Sequence, residues 1–182
     1  MSLRQRAPAI RRFCLVDLVG PAAIVAAAAT AGGAGCTGEP PCGPDEATVD
    51  RVIDGDTIVA GGARIRYLLV DAPEATTSPA DCYGANAAQF NADLVLGKTV
   101  RLTYDTACQD GFGRTLAYVT ASGHDVNRLL IERGFACVLH IPPDGDARAG
   151  ELEAVQAEAR RARRGLWGAC EPIPCNGGAP HL

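Results

Sequence analysis

Thr57-Ile58-Val59-Ala60-Gly61-Gly62-Ala63-Arg64-Ile65-Arg66-Tyr67-Leu68-Leu69-Val70-Asp71 is the stretch on which the fold turns. Two β-rich runs flank a Gly-Gly pair, the signal of a tight hairpin. Outward from it, alternation of apolar and polar residues begins at residue 47 and marks the whole of 47–71 as strand. Residues 99–104 and 115–120 read as two more strands, joined by a polar loop (105–114) that contains Gly111 and Gly113. Residues 135–140 make a fifth. Residues 85–96, stopped by Gly97, and 126–133, stopped by Gly134, read as helices. In a third helix, Leu152, Val155, Ala159, Ala162 and Leu166 recur at spacings of three and four and define one buried stripe. Asp144 and Asp146 favour its start. Arg160, Arg161, Arg163 and Arg164 crowd its end, where cations complement the helix dipole, and they read as a solvated helix end more readily than as a nucleic-acid patch.

Five short strands with three helices are too few helices for a doubly wound sheet. The expected class is mainly β with helices (α+β), a five-stranded barrel of the oligonucleotide/oligosaccharide-binding (OB) type. No internal repeat is visible.

The ends of the chain differ from this body. Residues 1–35 read as a leader: Arg4, Arg6, Arg11 and Arg12 precede an alanine-rich apolar run, 13–31. An uncleaved membrane helix is the alternative, weakened by Asp17, Gly20 and Pro21. Gly33-Ala34-Gly35-Cys36 resembles a lipobox with Gly33 in place of the usual branched aliphatic residue, which makes Cys36 a candidate for lipidation and membrane attachment. Residues 36–46 read as linker, 47–169 as the folded domain and 170–182 as tail. The expected location is outside the cytoplasm: secreted, periplasmic or lipid-anchored at the cell envelope. Cysteine usage agrees, since Cys42, Cys82, Cys108, Cys137, Cys170 and Cys175 form an even set suited to disulfides. No C-x-x-C pair occurs and the three histidines stand apart, which argues against a zinc site. From Cys36 onward 13 Arg or Lys face 20 Asp or Glu, a net charge near −7. That excludes a general polyanion binder; any attraction for nucleic acid must be local.

Chemistry concentrates between Asp54 and Glu74. Asp54, Asp56, Asp71 and Glu74 are carboxylates set among apolar strands, and hard oxygen ligands of this kind suit calcium or magnesium. Asp54-Gly55-Asp56 alone is an ordinary turn, and the ligand spacing of an EF-hand is absent. Arg66 lies in an apolar strand, so it needs a carboxylate or a phosphate beside it. A buried ion pair with Asp56 or Asp71 meets that need as well as a phosphate does. Arg66 and Asp71 are an odd number of residues apart and face opposite ways on a flat strand, so a bend is required, with Pro73 as its expected cause. Phosphodiester hydrolysis needs a water, a proton acceptor and positive charge on the equatorial phosphate oxygens, and this set holds all three.

Three motifs in order, Arg51-Val52-Ile53-Asp54-Gly55-Asp56-Thr57-Ile58, Ile65-Arg66-Tyr67-Leu68-Leu69-Val70-Asp71-Ala72-Pro73-Glu74 and Asp110-Gly111-Phe112-Gly113-Arg114-Thr115-Leu116-Ala117-Tyr118, resemble the thermonuclease (staphylococcal-nuclease-like) family. The likeness continues through Val126-Asn127 and Leu129 to Gly134 and closes at Gly165-Leu166-Trp167, covering about residues 49–168. It implies an OB-type barrel with three helices that cuts DNA and RNA in the presence of calcium and leaves 3′-phosphate ends. It further implies that Asp56, Asp71 and the main-chain carbonyl of Ala72 hold calcium with Asp54 nearby, that Arg66 and Arg114 bind phosphate, and that Glu74 is the catalytic glutamate, as general base or as a group that orients water. Ala72 stands where Thr is common, but only its carbonyl is needed.

Phe112 and His140 fall at substrate-binding positions. Gly111 replaces a basic residue, and His140 and Pro142 stand where aromatics are common, so weaker grip on the substrate is expected. Cys82 and Cys108 are expected to pair and staple the loops carrying Glu74 and Arg114, a stabilisation of about 3 kcal/mol; a clamp of the tail onto the barrel is the expectation for the other cysteines. The chain reads as a monomer. The rival readings are a barrel that binds nucleic acid without cutting it, and a calcium-binding surface lipoprotein. Retention of Asp56, Arg66, Asp71, Glu74 and Arg114 together argues against both.

Overall fold

The computed structural model describes residues 42–175; the leader, the lipobox and Cys36 lie outside the described residues. The first apolar run forms two strands, β1 (Glu46–Val52) and β2 (Thr57–Ala60), and the Gly61-Gly62 turn leads into β3 (Ala63–Tyr67). Both turn glycines have positive φ, as a two-residue hairpin loop demands. Strand β5 (Thr99–Thr103) and strand β6 (Thr115–Ala121) follow helix α1 (Gly84–Val95). β2 pairs antiparallel with β1 and β3, β5 pairs antiparallel with β1 and β6, and β3 runs parallel to β6. The last pairing closes a five-stranded barrel. A register shift between Val49 and Arg51 lets one end of β1 serve β5 and the other serve β2.

The barrel is OB-like as expected, but its five strands are not the five read from the sequence. Residues 47–59 supply two of them. Beyond the short β7 (His124–Asp125), which pairs with β6, the run at 135–140 yields only β8 (Cys137–Leu139), which pairs outside the barrel with β4 (Leu69–Asp71). The third helix also differs: α3 (Ala149–Arg161) ends before exposed Ala162, and buried Leu166 belongs to a separate turn, α4 (Leu166–Ala169). The cause is local. Gly165 has φ +54° and packs backbone to backbone against Gly134, with the Leu166 amide donating to the Gly134 carbonyl at 2.8 Å. Of the two aspartates expected at the start of α3, Asp144 accepts from the Ala107 amide and Asp146 meets His140.

Inside the barrel lie Val49, Ile58, Ile65, Tyr67, Val100 and Val119, each essentially fully buried, and helix α2 (Val126–Glu132) covers them with Leu130 and Ile131. A second, smaller apolar cluster gathers Cys137, Leu166 and Cys170 with Tyr83, Trp167 and Ile173. No helix among the described residues is long and apolar enough to cross a membrane.

Among the described residues the disulfides are Cys42–Cys108, Cys82–Cys170 and Cys137–Cys175. The expected Cys82–Cys108 bridge is therefore wrong. Cys82 lies against α4, its sulfur 3.8 Å from the Ala169 carbonyl oxygen, so its partner comes from the end of that helix, while Cys108 meets the segment that enters β1. Residues 42–46 and 170–175, read as linker and tail, are thus fastened to the barrel, and the C-terminal clamp is made twice.

Candidate active site

The required bend exists, but Pro73 does not make it. The chain breaks at Leu68-Leu69, where Leu69 takes φ 61°, a conformation costly for a branched side chain. Fully buried Asn127 holds the break, donating to the Leu68 carbonyl at 2.8 Å and accepting from the Val119 amide at 2.8 Å. Gly145 packs directly on the Leu69 side chain. As a result Arg66, on β3, and Asp71, on β4, come to the same side despite their odd separation.

Arg66 Nη2 lies 3.5 Å from Asp71 Oδ1, and Nη1 is in contact with Asp56 Oδ2. Burial works against the guanidinium charge, but Asp56 and Asp71 outweigh it and hold Arg66 protonated. The Asp56 carboxylate also accepts from the Ala72 amide at 2.7 Å and the Thr57 hydroxyl at 3.0 Å. The Asp54 carboxylate accepts from the Asp56 amide at 3.1 Å, and its main-chain carbonyl accepts from Asn91 Nδ2 at 3.0 Å. Gly55 is obligatory between them, because a Cβ there would fall 2.5 Å from that of Ala72 and 2.7 Å from that of Ala87.

Burial, with the charge and carboxyl contact of Asp56 added, pushes the Asp54 carboxyl up to about 7. Crowded negative charge of this kind is what a divalent cation relieves. Among the described residues no three His, Cys, Asp or Glu side chains stand together as a metal cage; the carboxylates of Asp56 and Asp71 are turned on Arg66 instead. The donor set nevertheless fits a hard cation: two aspartates and the Ala72 carbonyl, with room for water in an adjoining cavity of about 400 Å³.

That cavity brings Asp56, Arg66, Asp71, Glu74, Phe112 and Arg114 onto one surface. Glu74 is partly buried, and its backbone is held from both sides: its amide donates to Asp81 Oδ2 at 3.1 Å and its carbonyl accepts from the Asp81 amide at 2.9 Å. Gly84, at the start of α1, lies so close to the Glu74 carbonyl that a Cβ would collide with it. Phe112 is 68% exposed, with the Arg114 guanidinium 5.4 Å from its ring centre. Leu139 and Ile141 form an apolar wall, whereas His140, between them, is not in the lining. Alternation turns His140 away, and its Nε2 lies 2.8 Å from Asp146 Oδ1. Of the two expected substrate-binding residues, only Phe112 faces the cavity.

Three residues that position this site went unread in the sequence. Asn91 accepts from the buried Tyr67 hydroxyl at 3.0 Å while it supports Asp54; a polar residue on the stripe Ala87, Asn91, Val95 was the available signal. Asp81 steadies Glu74. Asp110 brackets Arg114, its Oδ2 accepting from Nε at 2.6 Å and its Oδ1 from the Arg114 and Phe112 amides. An aspartate opening a Gly-rich loop is a recognisable Asx signal.

Burial raises the Asp110 carboxyl, but these hydrogen bonds and the Arg114 charge prevail and hold it below the ordinary carboxylate range. Its contribution to stability is therefore present above the unfolded-state value of about 3.9 and is lost as pH falls through the lower folded value. Asp110→Asn should lower the melting temperature at pH 7, and the gap from the parent should narrow steadily below about pH 4, as thermal scans across pH would record.

The family model described as Staphylococcal nuclease homologue matches residues 64–169. Thermonuclease of Staphylococcus intermedius is 36% identical over 125 residues, 65% of this chain and 74% of that protein. Endonuclease YncB of Bacillus subtilis (strain 168) is 35% identical over 128 residues, 66% of this chain but only 60% of YncB's own length. An uncharacterized endonuclease of Escherichia coli O157:H7 is 36% identical over 138 residues, 73% of this chain and 84% of that protein. With the barrel and the converging arginines and carboxylates, these matches mean that the chain belongs to the staphylococcal nuclease family.

Proposed function

We propose that this chain is an exported, calcium-dependent endonuclease that hydrolyses phosphodiester bonds of DNA and RNA and leaves 3′-phosphate ends. The observation that carries the reading is the meeting of Arg66, Arg114 and Glu74 beside the Asp56–Asp71 carboxylates in one cavity. Family membership supports it, because the relatives are named thermonuclease and endonuclease. The three disulfides support an oxidising location, with the leader directing export and Cys36 available for lipid attachment. The chain acts as a monomer.

In this reading the two guanidiniums take the scissile phosphate, and their forked donors match its equatorial oxygens as negative charge builds there. Glu74 accepts a proton from the attacking water. The water oxygen bonds to phosphorus, the bond to the 5′ oxygen breaks, and that oxygen leaves and takes up a proton from solvent. Asp56, Asp71 and the Ala72 carbonyl, with Asp54 nearby, would hold calcium, which when bound would supply further positive charge to the phosphate and the water. Phe112 offers an exposed ring on which a base can stack.

The test is digestion of plasmid DNA and single-stranded RNA in calcium or in chelator, followed by analysis of product ends. Both polymers should be cut internally to 3′-phosphates, and chelator should slow cutting about 100-fold. Undiminished cutting in chelator would remove calcium from the mechanism, and 5′-phosphate products would show that the other ester bond breaks.

A further inference from the structure

The three disulfides lie outside the barrel ladders, yet each is fastened to a segment that carries part of the candidate active site. Cys82 follows Asp81, the residue that holds the Glu74 backbone from both sides, and its bridge to Cys170 ties that loop to α4. Cys137 is paired with Asp71 across the β4–β8 ladder, and the sulfur of its partner Cys175 is 3.9 Å from the Asp71 carbonyl oxygen. Cys108 accepts a hydrogen bond from the Leu116 amide at 3.0 Å through its carbonyl, just beyond Arg114, and is bridged to Cys42. The barrel core is separate from these anchors: Cys137 and Cys170 belong to the smaller cluster around Leu166.

From this arrangement we infer that the cysteines are positioning residues for catalysis, and that oxidation of the three bridges switches the nuclease on by locking the Asp71, Glu74 and Arg114 segments onto a barrel that folds without them. The inference rests on the nuclease reading. Oxidation is thiol–disulfide exchange with a small-molecule disulfide, which accepts the two electrons and two protons of each cysteine pair, and reduction by a dithiol is the reverse exchange. A dithiol thiolate bonds one cysteine sulfur and the other leaves as a thiolate that takes a proton. The second thiol of the reductant then attacks the first reductant sulfur, the mixed disulfide breaks and the remaining cysteine leaves as a thiolate that takes a proton, so two electrons and two protons pass to each bridge. The thiol form keeps the core but loses the geometry, since displacement of a catalytic group by about 1 Å costs on the order of 100-fold in rate. A chain still inside a reducing compartment is then harmless to its own nucleic acids.

The experiment compares the oxidised protein with the same protein reduced by dithiothreitol, in saturating calcium, by steady-state cleavage and by amide hydrogen exchange. Reduction should lower kcat about 100-fold with KM changed less than about threefold, and reoxidation should restore it. Exchange should quicken in residues 72–84 and 105–114 while β1, β2, β3, β5 and β6 keep their protection. A Cys82→Ala/Cys170→Ala pair should lower kcat with faster exchange confined to the Glu74 side. Equal activity of folded oxidised and reduced protein would overturn the inference and leave the nuclease reading standing. Loss of barrel protection together with activity would also overturn it, since the bridges would then hold the whole fold. An oxidised protein that cuts neither DNA nor RNA would sink the nuclease reading and this inference with it.

Discussion

Glu74→Gln is expected to lower kcat by about 10⁴-fold in saturating calcium, near the upper end of what loss of a positioned proton acceptor costs. The substitution keeps the size and shape of the side chain and removes only its charge and basicity. It leaves the local fold alone, because Asp81 binds the Glu74 backbone and not its carboxylate. Melting temperature and affinity for a short oligonucleotide should therefore stay close to the parent's. Single-turnover cleavage beside a binding titration separates these effects. Activity within tenfold of the parent would remove Glu74 from the chemistry and leave it at most a distant electrostatic contributor.

Arg114→Ala should cost about 10³-fold in kcat/KM, the scale for deleting one preorganised donor from a site of developing negative charge. Arg114→Lys should recover little, since a point charge replaces a forked pair of donors. Arg114 is a cleaner probe than Arg66. Its side chain is 25% exposed and pairs with the partly exposed Asp110, whereas Arg66 is 11% exposed and neutralises two buried carboxylates. Removing Arg66 strands buried negative charge and weakens the fold as well as the chemistry. Removing Arg114 frees Asp110 toward solvent. Rates measured at matched folded fraction should show the Arg114 variants defective in cleavage far beyond the small stability loss that follows from their Asp110 contact; a loss of rate no larger than the loss of stability explains would make Arg114 a structural residue.

The candidate site residues were legible in the sequence because each broke a local rule. Arg66 interrupts an apolar strand, Asp56 stands directly before one strand and Asp71 ends another, where burial disfavours charge; the structure joins all three. The way they meet was not legible. Nothing in Leu68-Leu69 announces a positive φ, since that conformation is imposed from a distance by Asn127 and Gly145. Of the strand read at 135–140 only residues 137–139 form one, and they pair outside the barrel, because alternation reports burial and not partnership. The cysteine pairing failed for a similar reason: sequence proximity to Glu74 and Arg114 is a one-dimensional clue, and the bridges are set by where α4 and the chain ends pack. His140 was lost to alternation by a single position.

The barrel closes where β3 meets β6, with Ile65 opposite Thr115 and Arg66 opposite Leu116. Thr115 directly follows Arg114, so the seam that shuts the cylinder is also the ruler that spaces the two guanidiniums. A slip of one residue along it would carry Arg114 about 3.3 Å past its partner and turn it to the other face of the sheet. The β5–β6 loop can then change length before Cys108 with little consequence for the site, provided the count from Cys108 through Asp110 to Thr115 is preserved. What that region must keep is a register, which no single side chain records.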